Sequence, residues 1–281
     1  MIYGIISIKF KKKAKFMITL FYKSDFETTF SVTTDCDATE KKLRLMYGEA
    51  LSESPTVVKH EICISKESGI YRFSALDSSF LTSTPIQSLN KYLFDNASYS
   101  DRVFALHGAA VEKNGECHIF LASTGSGKTT LTSYLTSCGF GYLTDDCILL
   151  DRDNFTVHPC PAPIQLRDGG AEVLKRYGAF PDNTELLEEP PTLRRFAYTP
   201  KNCVSDPIPL KNIFFIKRSD NENKIINMPT TERMTALMQA PITPYPITGV
   251  YLRFISRLAK VNCQRLIYSD MDFVKELIEN G

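Results

Sequence analysis

Residues 117–130 read Cys-His-Ile-Phe-Leu-Ala-Ser-Thr-Gly-Ser-Gly-Lys-Thr-Thr. An apolar run passes into a glycine-containing loop that ends in Gly127-Lys128-Thr129 and opens a helix. No other segment constrains the fold as strongly, because this order demands a buried strand, a tight loop and a helix in succession. Gly125 and Gly127 permit backbone geometries that a Cβ disfavours. The backbone N–H groups of Ser123, Thr124, Gly125, Ser126, Gly127, Lys128, Thr129 and Thr130 can then face inward as an anion nest. The helix adds the positive end of its dipole. Lys128 has the reach for β- and γ-phosphates, and the Thr129 hydroxyl is placed to hold Mg²⁺. The expected ligands are therefore a nucleoside triphosphate and Mg²⁺; ATP is the expected nucleotide, although the motif itself does not choose among donors. Ala122 stands where the usual pattern has glycine; it is the smallest substitute and fits if its φ stays negative.

The surroundings bear on the kind of sheet. Val103 to Val111 suits a buried strand, and Asn114-Gly115 is a strong hairpin signal before the strand Cys117–Leu121. The loop-bearing strand should thus pair antiparallel with its predecessor, whereas helical crossovers would make that pairing parallel. Thr129 to Cys138 is the expected helix, with Leu131 and Leu135 four apart and Gly139 as its stop. Tyr142-Leu143, the pair Asp145-Asp146, a strand Cys147–Leu150, a turn Asp151–Asn154 and a returning strand Phe155–His158 follow. The expected core is a mixed sheet rich in hairpins, an α/β fold with α+β character.

Asp145 and Asp146 follow the loop by one helix. Adjacent carboxylates near a triphosphate repel each other and the phosphates unless a metal or a proton intervenes. One division of labour makes one carboxylate a metal ligand and leaves the other to take a proton from a hydroxyl. His107 lies on the strand next to the loop strand, within reach of the phosphates, as a packed residue or as one that orients a carboxylate. His118 and His158 read as structural, and His60 as part of a β surface.

His107-Gly108-Ala109-Ala110-Val111, the loop at 122–129, Gly139-Phe140 and Leu143-Thr144-Asp145-Asp146 stand in an order and spacing that resemble the kinase domain of HPr kinase/phosphorylase and its smaller relatives. The resemblance is strongest over residues 103–168, weaker over 205–281 and faint over 1–100. It implies a nucleotide-binding core like that of ATP-dependent phosphoenolpyruvate carboxykinase. It implies Lys128 and Thr129 on the triphosphate and Mg²⁺, Asp145 as a further metal ligand, Asp146 as general base with Asp145 second, and His107 assisting that carboxylate. One departure is informative: Gln165, in Gln165-Leu166-Arg167-Asp168-Gly169, stands where the bifunctional family has a glutamate. An amide is a poorer Mg²⁺ ligand than a carboxylate, which weighs against a phosphorylase activity and against HPr as substrate. The resemblance favours a kinase acting on a serine of a peptide or small protein, such as a ribosomal precursor peptide. The alternatives are a small-molecule kinase and a non-catalytic nucleotide-binding regulator. A decarboxylating carboxykinase is disfavoured, since no Lys/His metal set matches.

With 281 residues, 43 % hydrophobic, the chain can bury one large domain or two unequal ones. The expected division is a small β-rich unit at 1–100 and a kinase-like domain at 101–281. A net charge of +1 gives no global field for nucleic acid or membrane, and no apolar stretch approaches a membrane span. The run Lys11–Lys15 reads as a solvated loop or a lysine-guarded edge strand. None of the eight cysteines forms a Cys-x-x-Cys pair, so reduced thiols and a cytoplasmic protein without a signal peptide are expected. Homo-oligomerisation stays open.

Strands are expected at 2–10, 16–23 and 26–32, a hairpin from 57–64 and 70–76, and a helix from Pro85 to Phe94 capped by Thr84. The first hundred residues thus read as mainly antiparallel. Further on, a short helix is expected at 170–178, an exposed loop from Glu185 to Pro200 and a strand from Leu210 to Lys217. A helix is expected from Thr231 to Ala240, and another from Ser269 to Glu279 with Ser269 and Asp272 at capping-box spacing. Arg194-Arg195 reads as part of the solvated loop, with a grip on an acidic peptide as the other use.

Overall fold

The computed structural model describes residues 2–5, 9–11, 13–15, 19–22, 30–47, 60–76, 78–97, 103–160, 163–188, 194–242 and 246–281. Its N-terminal strands are β1 (Ile2–Ile5), β2 (Lys9–Lys11), β3 (Lys13–Lys15), β4 (Thr19–Tyr22) and β5 (Phe30–Thr34). The lysine run supplies a two-stranded hairpin, β2 with β3. The expected strand residues 6–8, 16–18, 23 and 26–29, and 57–59 of the hairpin, lie outside the described residues.

Then come α1 (Asp37–Tyr47), β6 (His60–Glu67), β7 (Ile70–Ala75), β8 (Ser78–Thr82) and α2 (Pro85–Ala97). The β6–β7 turn is made by Ser68 and Gly69, both at positive φ, as a tight hairpin requires. The described strands of this region pair mainly antiparallel, as expected, with one exception in the order β5-β6-β7-β8: β5 and β6 are parallel. The helix α1, unforeseen in the sequence, carries the chain across; a parallel pair needs such a crossover. Phe30, Val32, Leu43, Ile62, Ile64, Phe73, Ile86, Leu89 and Leu93 form one core between this sheet and its two helices.

The larger sheet is built from β9 (Val103–Lys113), β10 (Glu116–Leu121), β11 (Gly141–Thr144), β12 (Cys147–Asp151), β13 (Thr156–His158), β17 (Ile208–Arg218), β18 (Lys224–Asn227) and β19 (Asn262–Tyr268). Between them, α3 spans Lys128–Ser137, and the smaller sheet β14 (Ile164–Leu166), β16 (Arg194–Tyr198), β15 (Glu185–Glu188) is wholly antiparallel. The helix α4 is Asp168–Arg176, α5 is Thr230–Gln239, α6 is Gly249–Leu258 and α7 is Met271–Asn280. The large sheet is mixed: β10 is antiparallel to β9 and parallel to β17, and β17 is parallel to β19.

Strand alternation explains how both faces are buried. Ala109, Val111 and Phe120 face α3, α4 and α7, while Ala110, Ile119 and Leu121 face α5 and α6. Gly108 cannot be larger, since a Cβ there would stand 2.6 Å from the Phe120 carbonyl oxygen and 2.7 Å from Ile148 Cδ1. The stop of α3 is a Schellman motif: Gly139 at φ 89° donates to Thr136, and Phe140 donates to Leu135.

Two further expectations are corrected. The segment expected as an exposed loop at 185–200 supplies β15 and β16; Phe196, Ala197 and Tyr198 alternate onto β14, so apolar and β-forming residues prevail over the charged flanks. The last helix is capped by Asp270, whose carboxylate accepts from the Asp272 N–H, while Ser269 is tied to Asn223.

Candidate active site

Parallel β10, β17 and β19 bring their C-terminal ends to one edge, where open α/β sheets hold ligands. At that edge β10 gives way to the loop 122–127, and α3 starts at Lys128. Gly125 and Gly127 have φ of 85° and 95°, values an L side chain rarely adopts. Lys128 folds back over the loop, and its Nζ donates to the carbonyls of Ala122 at 2.8 Å and Ser123 at 3.2 Å. Burial pulls its proton affinity down, while Asp145 and Asp146 act in the opposite sense. Ser126 donates its N–H to the Ser123 carbonyl, and its Oγ is buried without a hydrogen-bond partner.

The carboxylates arrive by strand pairing. Asp145 and Asp146 form the turn between β11 and β12, and the pairing Cys147↔His107 in the β9–β12 ladder sets His107 beside Asp146. The His107 ring interacts with the main chain of Asp146; burial and the Lys128 charge lower its proton affinity. The two aspartates differ in burial. Asp145 is only 5 % exposed, whereas Asp146 is exposed. Burial and the neighbouring Asp146 charge push the Asp145 carboxyl up to about 8, against a hydrogen bond from Thr129 and the Lys128 charge. Asp145 Oδ1 is buried with no hydrogen-bond partner.

A cavity of about 490 Å³ gathers His107, Thr124, Gly125, Gly127, Lys128, Thr129, Thr130, Asp145 and Asp146. Ser123 lines a neighbouring cavity with His107 and Thr124. Among the other expected histidines, His118 meets Asn212 at 2.9 Å in a buried contact, and His60 stacks on Phe30. None of the eight cysteines, all of them among the described residues, is joined in a disulfide.

The same cavity holds residues that motif reading undervalued. Gln165, Arg167, Gly169, Gly170, Arg195 and Arg218 also line it. Arg195 Nη1 donates to Gln165 Oε1 at 2.8 Å across the β14–β16 pair, so it is no solvated loop residue. Arg218 ends β17, the parallel neighbour of the loop strand. The N-terminus of α4 faces the cavity, and Gly170 lets it approach α3: a Cβ there would stand 2.7 Å from Thr130 Oγ1. Four cationic side chains, those of Lys128, Arg167, Arg195 and Arg218, thus face one carboxylate with raised proton affinity and one exposed carboxylate. Such a lining suits a polyanion bearing a metal.

Among the described residues no group of three or more His, Cys, Asp or Glu side chains could hold a metal by itself. No helix of the described residues is long and apolar enough to cross a membrane. No family model matches the chain, and none of the curated proteins matches it. Among solved structures, the chain is similar to the Hpr(Ser) kinase/phosphatase from Coxiella burnetii, with a TM-score of 0.33 and 14 % identity over 63 % of this chain and 88 % of that one.

Proposed function

We propose that the chain is an ATP- and Mg²⁺-dependent kinase that phosphorylates a serine hydroxyl of a peptide or small protein. In this reading residues 101–281 are the catalytic domain and 1–100 a small accessory unit. One observation carries it: a glycine loop, its lysine, a buried carboxyl and an exposed carboxyl line one cationic cavity. A site that only bound nucleotide would have no need of the second carboxylate.

The residues fit the metal. Asp145 Oδ1 is buried and lacks a partner, a costly state for a carboxylate unless a cation completes it. Thr129 and Asp145 would hold Mg²⁺, which when bound neutralises phosphate charge. The remaining ligands would be water and phosphate oxygens, as is usual for this ion.

Each protein group then has a defined task. The N–H groups of 123–130 and Lys128 hold the phosphates. Asp146, exposed to the cavity, takes the proton of the serine hydroxyl as its oxygen bonds to phosphorus and the bond to the leaving phosphate oxygen breaks. His107 holds the Asp146 main chain and so positions the base.

Titrating a fluorescent ATP analogue with Mg²⁺ into wild-type protein and Lys128→Ala tests the reading. Loss of this buried charge should weaken binding by about 30-fold or more, from the ~2–5 kcal/mol of a broken charge pair. Equal affinity for both proteins would remove the assignment.

A further inference from the structure

The ladder between β9 and β10 ends at the pair Leu121↔Gly108. Beyond it the chain leaves the sheet to form the glycine loop, yet β9 extends back to Val103. The segment 240–242 takes over the vacated edge. The His107 N–H donates to Ala240 O at 2.9 Å, Leu106 bridges to Pro241, and the Ile242 N–H donates to Ala105 O at 3.2 Å. Between the departing loop and this segment lies a second cavity of about 650 Å³. Its walls include Ala122, Phe215, Ala236, Gln239 and Pro241, and among the described residues no Asp, Glu, Lys or Arg lines it.

The two cavities share His107 and Thr124 as a common wall. The direction of the triphosphate follows from Lys128. Its Nζ lies against Ala122 and Ser123, so the β/γ end that this lysine reaches lies over the first half of the loop. Thr130, at the start of α3, lies against Gly170 of α4 inside the cationic cavity, and marks the opposite end. The γ-phosphate therefore points to the shared wall, and the uncharged cavity opens on its far side. A hydroxyl that attacks in line must approach from away from the leaving group.

We propose that this uncharged cavity is the acceptor site and that the residues flanking the acceptor serine are uncharged and in part apolar. The inference rests on the kinase reading above. Acidic flanks would meet a triphosphate across the shared wall with no cation in the cavity to offset it. Apolar flanks gain by leaving water against Phe215, Ala236 and Pro241.

The test uses the full chain with Mg²⁺ and a non-hydrolysable ATP analogue. Two short fluorescein-labelled peptides carry alanine at the acceptor position, one flanked on both sides by leucine and one by glutamate; anisotropy reads their binding. The leucine peptide should bind about tenfold or more tightly, the advantage expected from burying one leucine-sized side chain. Ala236→Glu and Gln239→Glu, both on the partly exposed helix α5, should each remove most of that advantage and leave analogue affinity within about twofold. Tighter binding of the glutamate peptide, lost in Arg195→Ala, would place the acceptor in the cationic cavity and overturn the proposal. Equal binding of the two peptides, or none, would also overturn it. The matching serine peptides, incubated with MgATP in parallel, separate the two levels. Phosphorylation without the leucine preference sinks only the placement, whereas bound peptide and bound nucleotide without phosphorylation sink the kinase reading.

Discussion

Asp145→Asn removes a buried carboxyl that the metal-free protein keeps protonated at a cost. The Asp145 carboxyl is pushed from 3.8 up to about 8 by burial and by Asp146, so the folded state keeps a proton that the unfolded state loses. Because the native state binds more protons, stability falls as pH rises from about 4 to about 8 and is level above that. At about 1.36 kcal/mol per unit, the cost at the top of the window is on the order of 5 kcal/mol. Asparagine carries no charge to desolvate, yet its buried amide leaves about 1–3 kcal/mol unpaid if unpaired. The net effect for the metal-free variant is thus a gain of about 2–4 kcal/mol near pH 7.5, and between nothing and a loss of about 2 kcal/mol near pH 4.5. Thermal unfolding without Mg²⁺ and nucleotide should show a midpoint raised by about 4 °C or more at the higher pH only. With MgATP the order should reverse, since wild-type Asp145 then has a cation to face. A variant that is equally or less stable than wild type at both pH values would refute the reasoning.

Gly108→Ala should cost about 1–3 kcal/mol or more, read by denaturant unfolding, because the new Cβ meets the rigid Phe120 carbonyl at 2.6 Å; a neutral effect would show that β9 and β10 are not so close. The Gln165 amide, bonded to Arg195, is a poorer Mg²⁺ ligand than a carboxylate, so phosphorylated product and inorganic phosphate should yield little pyrophosphate. Pyrophosphate release near the forward rate would contradict this. His107→Gln should lower turnover while the affinity for a fluorescent ATP analogue stays within about twofold, if the proposed positioning of Asp146 through its main chain is the role of His107; parallel loss of affinity would give the histidine a phosphate-binding role.

The parts of the site that were legible in the sequence are those carried by local signals. Gly125 and Gly127 need positive φ, Asn114-Gly115 closes a hairpin, and Gly139 ends a helix; each is a rule about a few neighbouring residues. The hairpin alone was enough to set β9 beside the loop strand, and so to bring His107 to the cavity that the loop lines. Arg218 was invisible because it reaches the cavity through the parallel pairing of β10 with β17, far apart in the chain. Arg195 was obscured by its acidic and proline-rich surroundings, and only the β14–β16 register turns it toward Gln165. The helix α1 escaped notice for a related reason: its sequence Asp-Ala-Thr-Glu-Lys-Lys-Leu-Arg-Leu is mostly polar, and only docking against β5 singles out Leu43.

The central claim is phosphoryl transfer with Asp146 as the proton acceptor, and mass spectrometry of a serine peptide after incubation with MgATP tests it most directly. Wild-type protein should add one phosphoryl group to the serine. Asp146→Asn should bind the nucleotide as tightly and transfer it roughly 10²–10⁴-fold more slowly. Transfer at the wild-type rate by Asp146→Asn, or no transfer by a wild-type protein that binds MgATP, would contradict the account.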